Sequence, residues 1–433
     1  MPNETADNRK RVLSGMRPTG RLHIGHYFGA LQNWIKLQND PEYECFFCVV
    51  DWHALTTDYA DTSQIAENTI EIATDWLAAG LDPERCTMFV QSAVPEHAEL
   101  HLLLSMVTPL GWLERVPTYK EAFDNIKDKD LHTYGFLGYP VLQTADIVMY
   151  GDPENELVVP VGEDQVPHVE MSREIVRRFN SAYSRIDWSN ITEEQQRYLT
   201  QKYWTQSGIE RVISPSARDK ARTLIDLAHE IESARRGEPL EVRQSVLANG
   251  GVPLRPVLRE PEHMLTHTPR IPGTDGRKMS KSYGNFVSLS ESDESIRTKT
   301  KAMMTDPARK RRTDPGNPDV CPAYDWHKLF SPQETLDWAA HGCRTAGIGC
   351  IECKAAMADN LIKWIGPVRQ RREDYQQQPQ RVLEILDTGS TRARMVAQGT
   401  MERVRDAVFG WDKTRANLTA APRGGAQNVK AGS

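Results

Sequence analysis

Residues 12–29 constrain the fold of this chain more than any other stretch. An apolar pair, Val12 and Leu13, can enter a sheet as a strand, and a turn rich in glycine and proline follows it. The sequence His-Ile-Gly-His at 23–26 then opens a segment whose apolar residues recur at helical spacing. A strand, a glycine-rich turn and a helix in this order predict an anion site at the free N–H groups of the helix start. A tight turn with two surface histidines is the alternative.

A second short segment, Lys-Met-Ser-Lys-Ser at 278–282, lies far downstream. It follows Gly273, Asp275 and Gly276, which predicts that it lies on a flexible loop. By itself such a segment could be an ordinary solvated loop. Together with residues 23–26 it resembles the paired signatures of the class I aminoacyl-tRNA synthetases, and two such segments in one chain are far more specific than one short motif.

At 433 residues the chain is longer than one hydrophobic core usually supports, so two or more domains are expected. Up to about residue 180, apolar runs alternate with stretches of helical spacing, which predicts an α/β doubly wound parallel sheet. Ligands of such sheets bind at the carboxyl ends of the strands. The predicted strands are 45–50 and Thr87–Val90, and the predicted helices are Ile65–Ala79 and 97–106.

Residues 181–265 differ in character and are predicted to be an inserted helical subdomain, with a long extended hairpin as the alternative. They contain a capping box at 192–195 and a second predicted helix from Ser214. Residues 1–180 and 266–290 are then the two parts of the catalytic domain, and the second part carries the segment 278–282.

The remaining chain reads as mostly helical from 291 to 412, with predicted helices at 326–338, 354–372 and 381–409. The end of the chain, 413–433, is rich in Ala, Gly and Arg and is predicted to be disordered.

The composition is that of a globular protein, with 39% hydrophobic and 26% charged residues. No apolar run reaches membrane-spanning length, and the N-terminus has no apolar core of a secretory signal, so we expect a cytoplasmic protein without membrane association. The net charge of −6 argues against non-specific nucleic-acid binding, so an RNA contact would need a local basic patch. Residues 299–312 are the candidate for that patch.

A carboxylate is predicted inside an apolar helix at 139–150. Tyr139, Gln143 and Asp146 fall on one face of that helix. A buried carboxylate is costly unless something donates to it. Asp146 therefore either accepts an N–H or O–H from a bound ligand, or is a core residue paired with a backbone group or an arginine. The run 158–165 adds a strand followed by a polar loop, which is the expected place for ribose and substrate amine.

Six segments occur in the order found in the tryptophanyl-tRNA synthetases, which this chain resembles over nearly its whole length apart from 181–265 and the tails. They are GMRPTGRLHIGHYFGAL, VDWHALT, ERVPTYKE, YPVLQTADIVMY, VPVGEDQVPHVE and GRKMSKSYGN. The resemblance implies a Rossmann-like catalytic domain, an inserted subdomain and an all-α C-terminal domain that binds the tRNA anticodon. It implies that L-tryptophan is activated with ATP and Mg²⁺, then transferred to tRNA(Trp), by a homodimer.

Three alternatives remain at this point. A tyrosyl-tRNA synthetase shares the fold and the signatures. A non-catalytic tRNA-binding paralogue would not need both signatures intact. Another nucleotidyl transferase could share the H-x-G-H pattern, although a long helical C-terminal half with a basic patch fits tRNA better.

The resemblance also implies residue roles at the matching positions. His23, His26, Lys278 and Lys281 would be catalytic and would supply positive charge. ATP would be bound by Arg17, Pro18, Thr19, Gly25, His26, Gly162, Glu163, Asp164, Ile271, Lys278, Met279, Ser280, Lys281 and Ser282. Tryptophan would be bound by Asp146 at the indole N–H, by Tyr139 and Gln165 at the α-amino group, and by a pocket that includes Gln143 and His53.

Four of the seven cysteines, Cys321, Cys343, Cys350 and Cys353, cluster in the C-terminal part with intervals of 21, 6 and 2 residues. Four thiolates suit a tetrahedral zinc ion or an iron–sulfur cluster. The alternative is four buried thiols that bind no metal. A subgroup of tryptophanyl-tRNA synthetases that this chain resembles carries a [4Fe–4S] cluster here, with a first interval one residue longer. We therefore predict such a cluster, with zinc as the alternative, in a structural role remote from the ATP site.

Overall fold

A computed structural model of the chain describes residues 9–117, 119–121, 129–203, 228, 230–266, 271–411, 415 and 419. The helix predicted to begin at Ser214 starts outside these residues. Nearly all of the predicted tail also lies outside them. Among the residues described, no helix has both the length and the apolar character needed to cross a membrane.

A parallel sheet of five strands organises the fold. The strands of the chain are β1 Lys10–Met16, β2 Tyr43–Val49, β3 Thr87–Val90, β4 Leu157–Val161, β5 Arg185–Ile186, β6 Leu254–Arg255 and β7 Pro261–Leu265. The sheet has the order β3-β2-β1-β4-β7 with all neighbours parallel, and β5 and β6 form a separate antiparallel pair. The strand order reverses direction between β1 and β4, where a crevice opens at the carboxyl ends of the strands. The predicted doubly wound fold is confirmed.

Helices cover the sheet and form the C-terminal part. They are α1 Ile24–His26, α2 Gln32–Asn39, α3 Asp51–Asp58, α4 Ile65–Ala79, α5 Glu96–Ser105, α6 Leu110–Leu113, α7 Tyr134–Met149, α8 Val166–Tyr183, α9 Glu193–Tyr203, α10 Leu240–Gly250, α11 Asp293–Ala302, α12 Pro322–Phe330, α13 Gln333–Arg344, α14 Cys350–Gln376 and α15 Pro379–Phe409. A π-helical turn, Tyr27–Leu31, joins α1 to α2.

Both faces of the sheet are buried, because successive strand residues enter opposite hydrophobic cores. Val12 and Phe47 belong to one core, whereas their neighbours Leu13 and Phe46 belong to the other. The continuous apolar runs of β1 and β2 reflect this burial on two sides.

Two features of the secondary structure differ from the sequence analysis. Residues 261–265, where no strand was predicted, form β7 at the edge of the parallel sheet. This edge strand is exposed at Glu262, His263 and Leu265, so it lacks the apolar pattern of a buried strand. The helix predicted at 326–338 is two helices, α12 and α13, because Pro332 precedes α13 in an extended conformation.

The insert has a hydrophobic cluster of its own, formed by Ile186, Leu199, Ile231, Val246, Leu247 and Val252. Its capping box is confirmed, since Gln195 N–H donates to Thr192 Oγ1 at 3.2 Å and Thr192 N–H donates to Gln195 Oε1 at 2.9 Å. The domain boundaries themselves remain a prediction.

The C-terminal helices share both cores of the sheet rather than forming a separate core. Leu361 and Ile365 of α14 lie in one cluster, and Ala397 and Met401 of α15 lie in the other. A buried ion pair reinforces the contact, with Arg372 Nε 2.6 Å from Oδ1 of Asp75 on α4 and both side chains 1% exposed.

The closest approach of α15 to the sheet is at Gly389, where a Cβ atom would lie 1.8 Å from the backbone oxygen of Met88 on β3. We expect Gly389→Ala to destabilise the protein by about 1–3 kcal/mol, because the helix and the strand must separate. Gly399→Ala in the same helix is the matched control, since nothing lies within 4 Å of its Cβ position. That change should be stabilising by about 1 kcal/mol through helix propensity. Thermal unfolding of both variants measures the difference, and a similar shift in Tm for both would contradict the close packing.

Candidate active site

The two histidines of the 23–26 segment lie against each other at the start of α1. Their ring centroids are 3.7 Å apart, and His23 N–H donates to His26 Nδ1 at 3.2 Å. Burial, together with the charge of Lys281, lowers the pKa of His23 to about 4. Burial, His23 and Lys281 lower the pKa of His26 to about 3. Both rings are therefore neutral at pH 7, and the expectation that they supply positive charge is not supported; they can only donate or accept hydrogen bonds.

The segments 23–26 and 278–282 are in contact, although more than 250 residues separate them. Lys281 Nζ donates to the backbone oxygens of Thr19 at 2.8 Å and Gly20 at 3.0 Å. A Cβ at Gly25 would lie 3.4 Å from Met279 Sδ, so the Met279 side chain packs against the backbone at the start of α1. Lys281 is thereby fixed beside the helix start, and burial lowers the pKa of its amine.

Residues 271–285, which we call the KMSKS loop, are held in shape by Asn285. Its side chain is buried, and its Nδ2 donates to Asp275 Oδ1 at 2.7 Å and to the backbone oxygen of Lys278 at 3.2 Å. Its Oδ1 accepts from Ser280 N–H at 2.8 Å. Sequence reasoning did not assign Asn285 a role, although it ends the GRKMSKSYGN segment. Ile271 and Met279 are buried, whereas the side chains of Lys278 and Ser282 are exposed.

A cavity of about 630 Å³ opens where the sheet reverses its strand order. Residues 13–15 of β1 and residues 159–162 at the end of β4 line it. Of the predicted site residues, it brings together Arg17, His53, Tyr139, Gln143, Asp146, Gly162 and Gln165. Glu163 and Asp164 are exposed and are not among its lining residues. Pro18 is buried, and Thr19 contributes its backbone oxygen to Lys281.

Arg17 is already engaged within the protein. Its Nη2 donates to Thr57 Oγ1 at 2.5 Å and lies 3.2 Å from Asp58 Oδ2. Burial lowers the pKa of the guanidinium, although Asp58 opposes that shift. These contacts use Nη2, whereas the buried Nε has no hydrogen-bond partner among the described residues.

Asp146 is the centre of a buried hydrogen-bond network at the floor of the cavity. His53 Nε2 lies 2.9 Å from its Oδ2, and His97 Nδ1 lies 2.6 Å from its Oδ1. Gln91 Nε2 donates to both oxygens at 2.8 Å. His97 Nε2 lies 2.7 Å from the hydroxyl of Tyr150. The partners are thus two imidazoles and an amide rather than the backbone group or arginine of the alternative prediction.

The donors of this network all point toward the carboxylate. Burial raises the pKa of Asp146, but hydrogen bonds from His53 and His97 outweigh it and leave the pKa well below its ordinary value. The Gln91 amide cannot turn over, because its Oε1 accepts from the N–H of Trp52 at 3.1 Å. An ionised carboxylate can only accept. The network therefore presents Asp146 to the cavity as an acceptor that selects ligands with an N–H or O–H.

Gln91 and His97 were missed by the sequence analysis. Both are fully buried polar residues, and they lie just after β3 and at the start of α5. The available signal was their position at the carboxyl end of a predicted strand, the edge where ligands bind.

The four clustered cysteines line one small cavity of about 20 Å³, together with Thr305, Asp306, Arg309 and Ala323. This volume holds about one water molecule. Arg309 Nη1 lies 3.7 Å from Cys343 Sγ, and burial raises the pKa of Cys353 to about 12. Within the described part of the chain, no three His, Cys, Asp or Glu side chains converge closely enough to hold a single metal ion.

A family model described as class I tRNA synthetases for W and Y matches residues 5–236 and 240–365. The chain therefore belongs to the class I tRNA synthetases of the tryptophan and tyrosine group. Tryptophan–tRNA ligase of Ralstonia nicotianae is 46% identical over 418 residues, which cover 92% of this chain and 98% of the relative. That of Thermotoga maritima is 42% identical over 399 residues, with the same coverage of both chains.

The solved structures agree with these relatives. Tryptophanyl-tRNA synthetase from Campylobacter jejuni, complexed with ADP and tryptophan, superposes with a TM-score of 0.68 at 25% identity, covering 92% of this chain and 98% of that one. Within the class I synthetases, this chain belongs to the tryptophan–tRNA ligase family, which is a family of ligase enzymes.

His97→Ala is expected to raise the KM for tryptophan by a similar factor at about pH 5.5 and at about pH 8. The lowered pKa keeps Asp146 ionised until the pH falls far below the ordinary aspartate range. Loss of the His97 donor raises this pKa by about one to two units, since a hydrogen bond to a charged group is worth about 1.5–3 kcal/mol. The carboxylate therefore stays ionised at both pH values, and the rise in KM comes from the loss of a donor that fixes its position.

Tyr150→Phe is the graded control for this variant, because it removes only the hydroxyl that contacts His97. It should produce a smaller effect in the same direction. A KM ratio between His97→Ala and the unaltered protein that grows severalfold from about pH 8 to about pH 5.5 would contradict the lowered pKa of Asp146.

Proposed function

We propose that this chain activates L-tryptophan with ATP, releasing pyrophosphate, and transfers the tryptophanyl group to the 3′ end of tRNA(Trp). The observation that carries the proposal is the cavity at the reversal of strand order, with an ionised, buried acceptor at its floor. The full-length relatives support tryptophan as the substrate. The two signature segments lie in contact beside the same sheet edge, which suits a nucleotide bound next to the amino acid.

Tryptophan recognition is assigned to the residues that line the cavity. Asp146 accepts the indole N–H, Tyr139 and Gln165 hold the α-amino group, and Gln143 and His53 complete the pocket. The indole nitrogen offers a donor and no acceptor. It therefore matches the ionised carboxylate of Asp146, which can only accept a hydrogen bond. A tyrosine hydroxyl could also donate to Asp146, so this hydrogen bond alone does not distinguish tryptophan from tyrosine. The full-length relatives favour tryptophan.

ATP binding is assigned to the two signature segments and to the loop after β4. Lys281 and Lys278 supply positive charge for the phosphates, and His23 and His26 act as neutral hydrogen-bonding groups. Gly25 allows close approach to the helix start, and the remaining ATP contacts are Arg17, Pro18, Thr19, Gly162, Glu163, Asp164, Ile271, Met279, Ser280 and Ser282. Mg²⁺ supplies further positive charge to the phosphates when it is bound.

The reaction needs positioning and charge rather than a protein nucleophile. The tryptophan carboxylate attacks the α-phosphorus of ATP, and pyrophosphate leaves. Holding both substrates along one sheet edge makes this step effectively unimolecular. Lys281, fixed to residues 19 and 20, is placed to stabilise charge on the leaving pyrophosphate.

The C-terminal helices, 291–412, are proposed to bind the anticodon end of the tRNA, and the active form is proposed to be a cytoplasmic homodimer. The basic patch is smaller than the sequence suggested. Lys299 is paired with Glu291 at 2.9 Å, and Arg309 is buried and donates to the Ile348 backbone oxygen at 2.7 Å. Its exposed members are Lys301, Lys310, Arg311 and Arg312.

ATP–pyrophosphate exchange measured across all twenty amino acids tests the substrate. Exchange should require tryptophan, and tyrosine and phenylalanine should support it far less, because the pocket is built around an indole donor. Exchange with tyrosine and none with tryptophan would move the assignment to the tyrosine enzymes. Asp146→Ala should raise the tryptophan requirement by about tenfold or more, through loss of a charge-assisted hydrogen bond.

A [4Fe–4S] cluster is proposed at Cys321, Cys343, Cys350 and Cys353, with a zinc ion as the alternative. The four residues line one cavity, and the Arg309 guanidinium beside Cys343 would balance thiolate charge. Four thiolates on one zinc ion must converge at about 2.3 Å from a single point. In a cluster each thiolate takes a different iron, so the sulfurs need not converge. The cluster would tie together the segments that carry these residues.

Anaerobically purified protein is expected to be brown and to contain about four irons per chain, the complement of one cluster. Cys350→Ser should abolish the colour, whereas Cys86→Ser, a buried thiol elsewhere in the chain, should retain it. A colourless protein with one zinc per chain would favour the alternative.

A further inference from the structure

The four-cysteine site lies beside the KMSKS loop, although the sequence analysis expected it to be remote from the ATP site. Residues that contact the loop lie within five positions, along the chain, of residues that line the cysteine cavity. This adjacency occurs twice, on two separate segments, so the two sites are mechanically linked through the described residues.

The first link is the helix α12. It begins at Pro322, directly after Cys321, and carries Trp326 one turn further on. Trp326 is fully buried, and its indole Nε1 donates to the backbone oxygen of Pro272 at 2.8 Å. Pro272 pairs with Lys278 across the loop in an isolated β-bridge. A displacement of Cys321 is therefore transmitted through one helical turn to the base of the loop.

The second link is the segment after α11. Met304 N–H donates to the backbone oxygen of Thr274 at 2.7 Å, and the next residue, Thr305, lines the cysteine cavity. Gly276, with φ of +79°, turns the loop toward Met304 and Pro322. A Cβ there would lie 3.0 Å from Met304 Sδ and 3.4 Å from Pro322 Cγ.

One hydrophobic cluster runs continuously from the loop to the cysteines. Ile271 and Met279 of the loop, Met303, Cys321 and Trp326 all belong to it. A third polar contact comes from α14, where Lys354, next to Cys353, donates to the backbone oxygen of Met303 at 3.0 Å. Packed cores transmit displacement, because they contain few voids that could absorb it.

We propose that the four-cysteine site is the support of the KMSKS loop and that Trp326 is the positioning residue between them. When the four thiols are held together, α12 and residues 303–305 fix the base of the loop, and Lys281 stays beside the residues that precede α1. When the site is broken, the base loosens and the loop opens more often. The site then acts on the ATP step as well as on any tRNA contact; this last consequence rests on the proposed function.

Tryptic cleavage of the loop in the full-length, anaerobically purified protein tests the proposal without measuring activity. Arg277 and Lys278 are exposed and are the cleavage sites. Cleavage of a loop tracks the population of its open form when reclosing is fast. Trp326→Phe keeps an aromatic ring but removes the donor to Pro272, and should speed cleavage about twofold to tenfold, the value of one neutral hydrogen bond.

Cys343→Ser provides the decisive comparison, because Cys343 lines the cysteine cavity on α13 and is not part of the loop or its two links. Tryptic cleavage of the KMSKS loop in this variant should also be faster by at least about twofold. Cys86→Ser is the matched control, since Cys86 is a buried thiol whose Sγ donates to the backbone oxygen of Asp82, and its loop cleavage should be unchanged.

Unchanged cleavage in Trp326→Phe, or in a Cys343→Ser protein that retains native circular dichroism, would overturn the proposal. Exchange kinetics supply a second readout: Trp326→Phe should lower kcat more than it changes the KM for tryptophan, and the opposite split would also overturn it. Failure of the proposed function is distinguishable, because unaltered protein would then show no tryptophan-dependent exchange while the cleavage differences persisted.

Discussion

The contact between residues 22–24 and 287–289 is the interaction on which the active site depends. Ile24 N–H donates to the backbone oxygen of Val287 at 3.0 Å, and Leu289 N–H donates to that of Leu22 at 2.9 Å. These two bonds join the segment between β1 and α1 to the residues that directly follow the KMSKS loop. Together with the bonds from Lys281 Nζ to the backbone oxygens of Thr19 and Gly20, they hold Lys281 beside the start of α1. Side chains can supply charge at a reacting phosphate only where the backbone holds them in place beforehand.

The same segment is fixed from its other side by the C-terminal helices. Asp75 Oδ2 accepts from Leu22 N–H at 2.6 Å, while its Oδ1 lies 2.6 Å from Nε of Arg372 on α14. Asp75 thus links Leu22, the residue before His23, to a helix more than 300 residues further along the chain. A buried ion pair of this kind contributes little net stability, but breaking it by removing one partner is costly. Its value here is geometric: the C-terminal part holds the helix start through Arg372 and the KMSKS loop through Trp326.

The sequence predicted the elements of this fold better than it predicted the contacts between them. Thr87–Val90 and Ile65–Ala79 have the predicted bounds, and the alternation of strands and helices predicted the doubly wound sheet. Periodicity reports which face of an element is buried, so it serves well for elements that are buried in a regular way. It failed for β7, whose exposed edge carries charged residues. It also could not identify Gln91, His97, Asn285 or Trp326, because each of these acts on a partner that only the fold brings near. Site residues that belong to a recognisable motif were predicted from the sequence. The residues that support them were not predicted.

Burial decides the chemistry of the site as much as residue type does. Two histidines beside a lysine suggest a cationic site when they are read from sequence, yet burial and the neighbouring amine keep both rings neutral, with pKa values of about 4 and 3. Asp146 is also buried, but hydrogen bonds from His53 and His97 reverse the effect and keep it ionised. The difference lies in the hydrogen-bond partners, since desolvation disfavours the charged form of every group and only specific donors restore it. The site therefore keeps its positive charge on the lysines of the KMSKS loop and its negative charge on Asp146 at the floor of the cavity. This separation suits a reaction that joins an anionic nucleotide to an amino acid held by its indole.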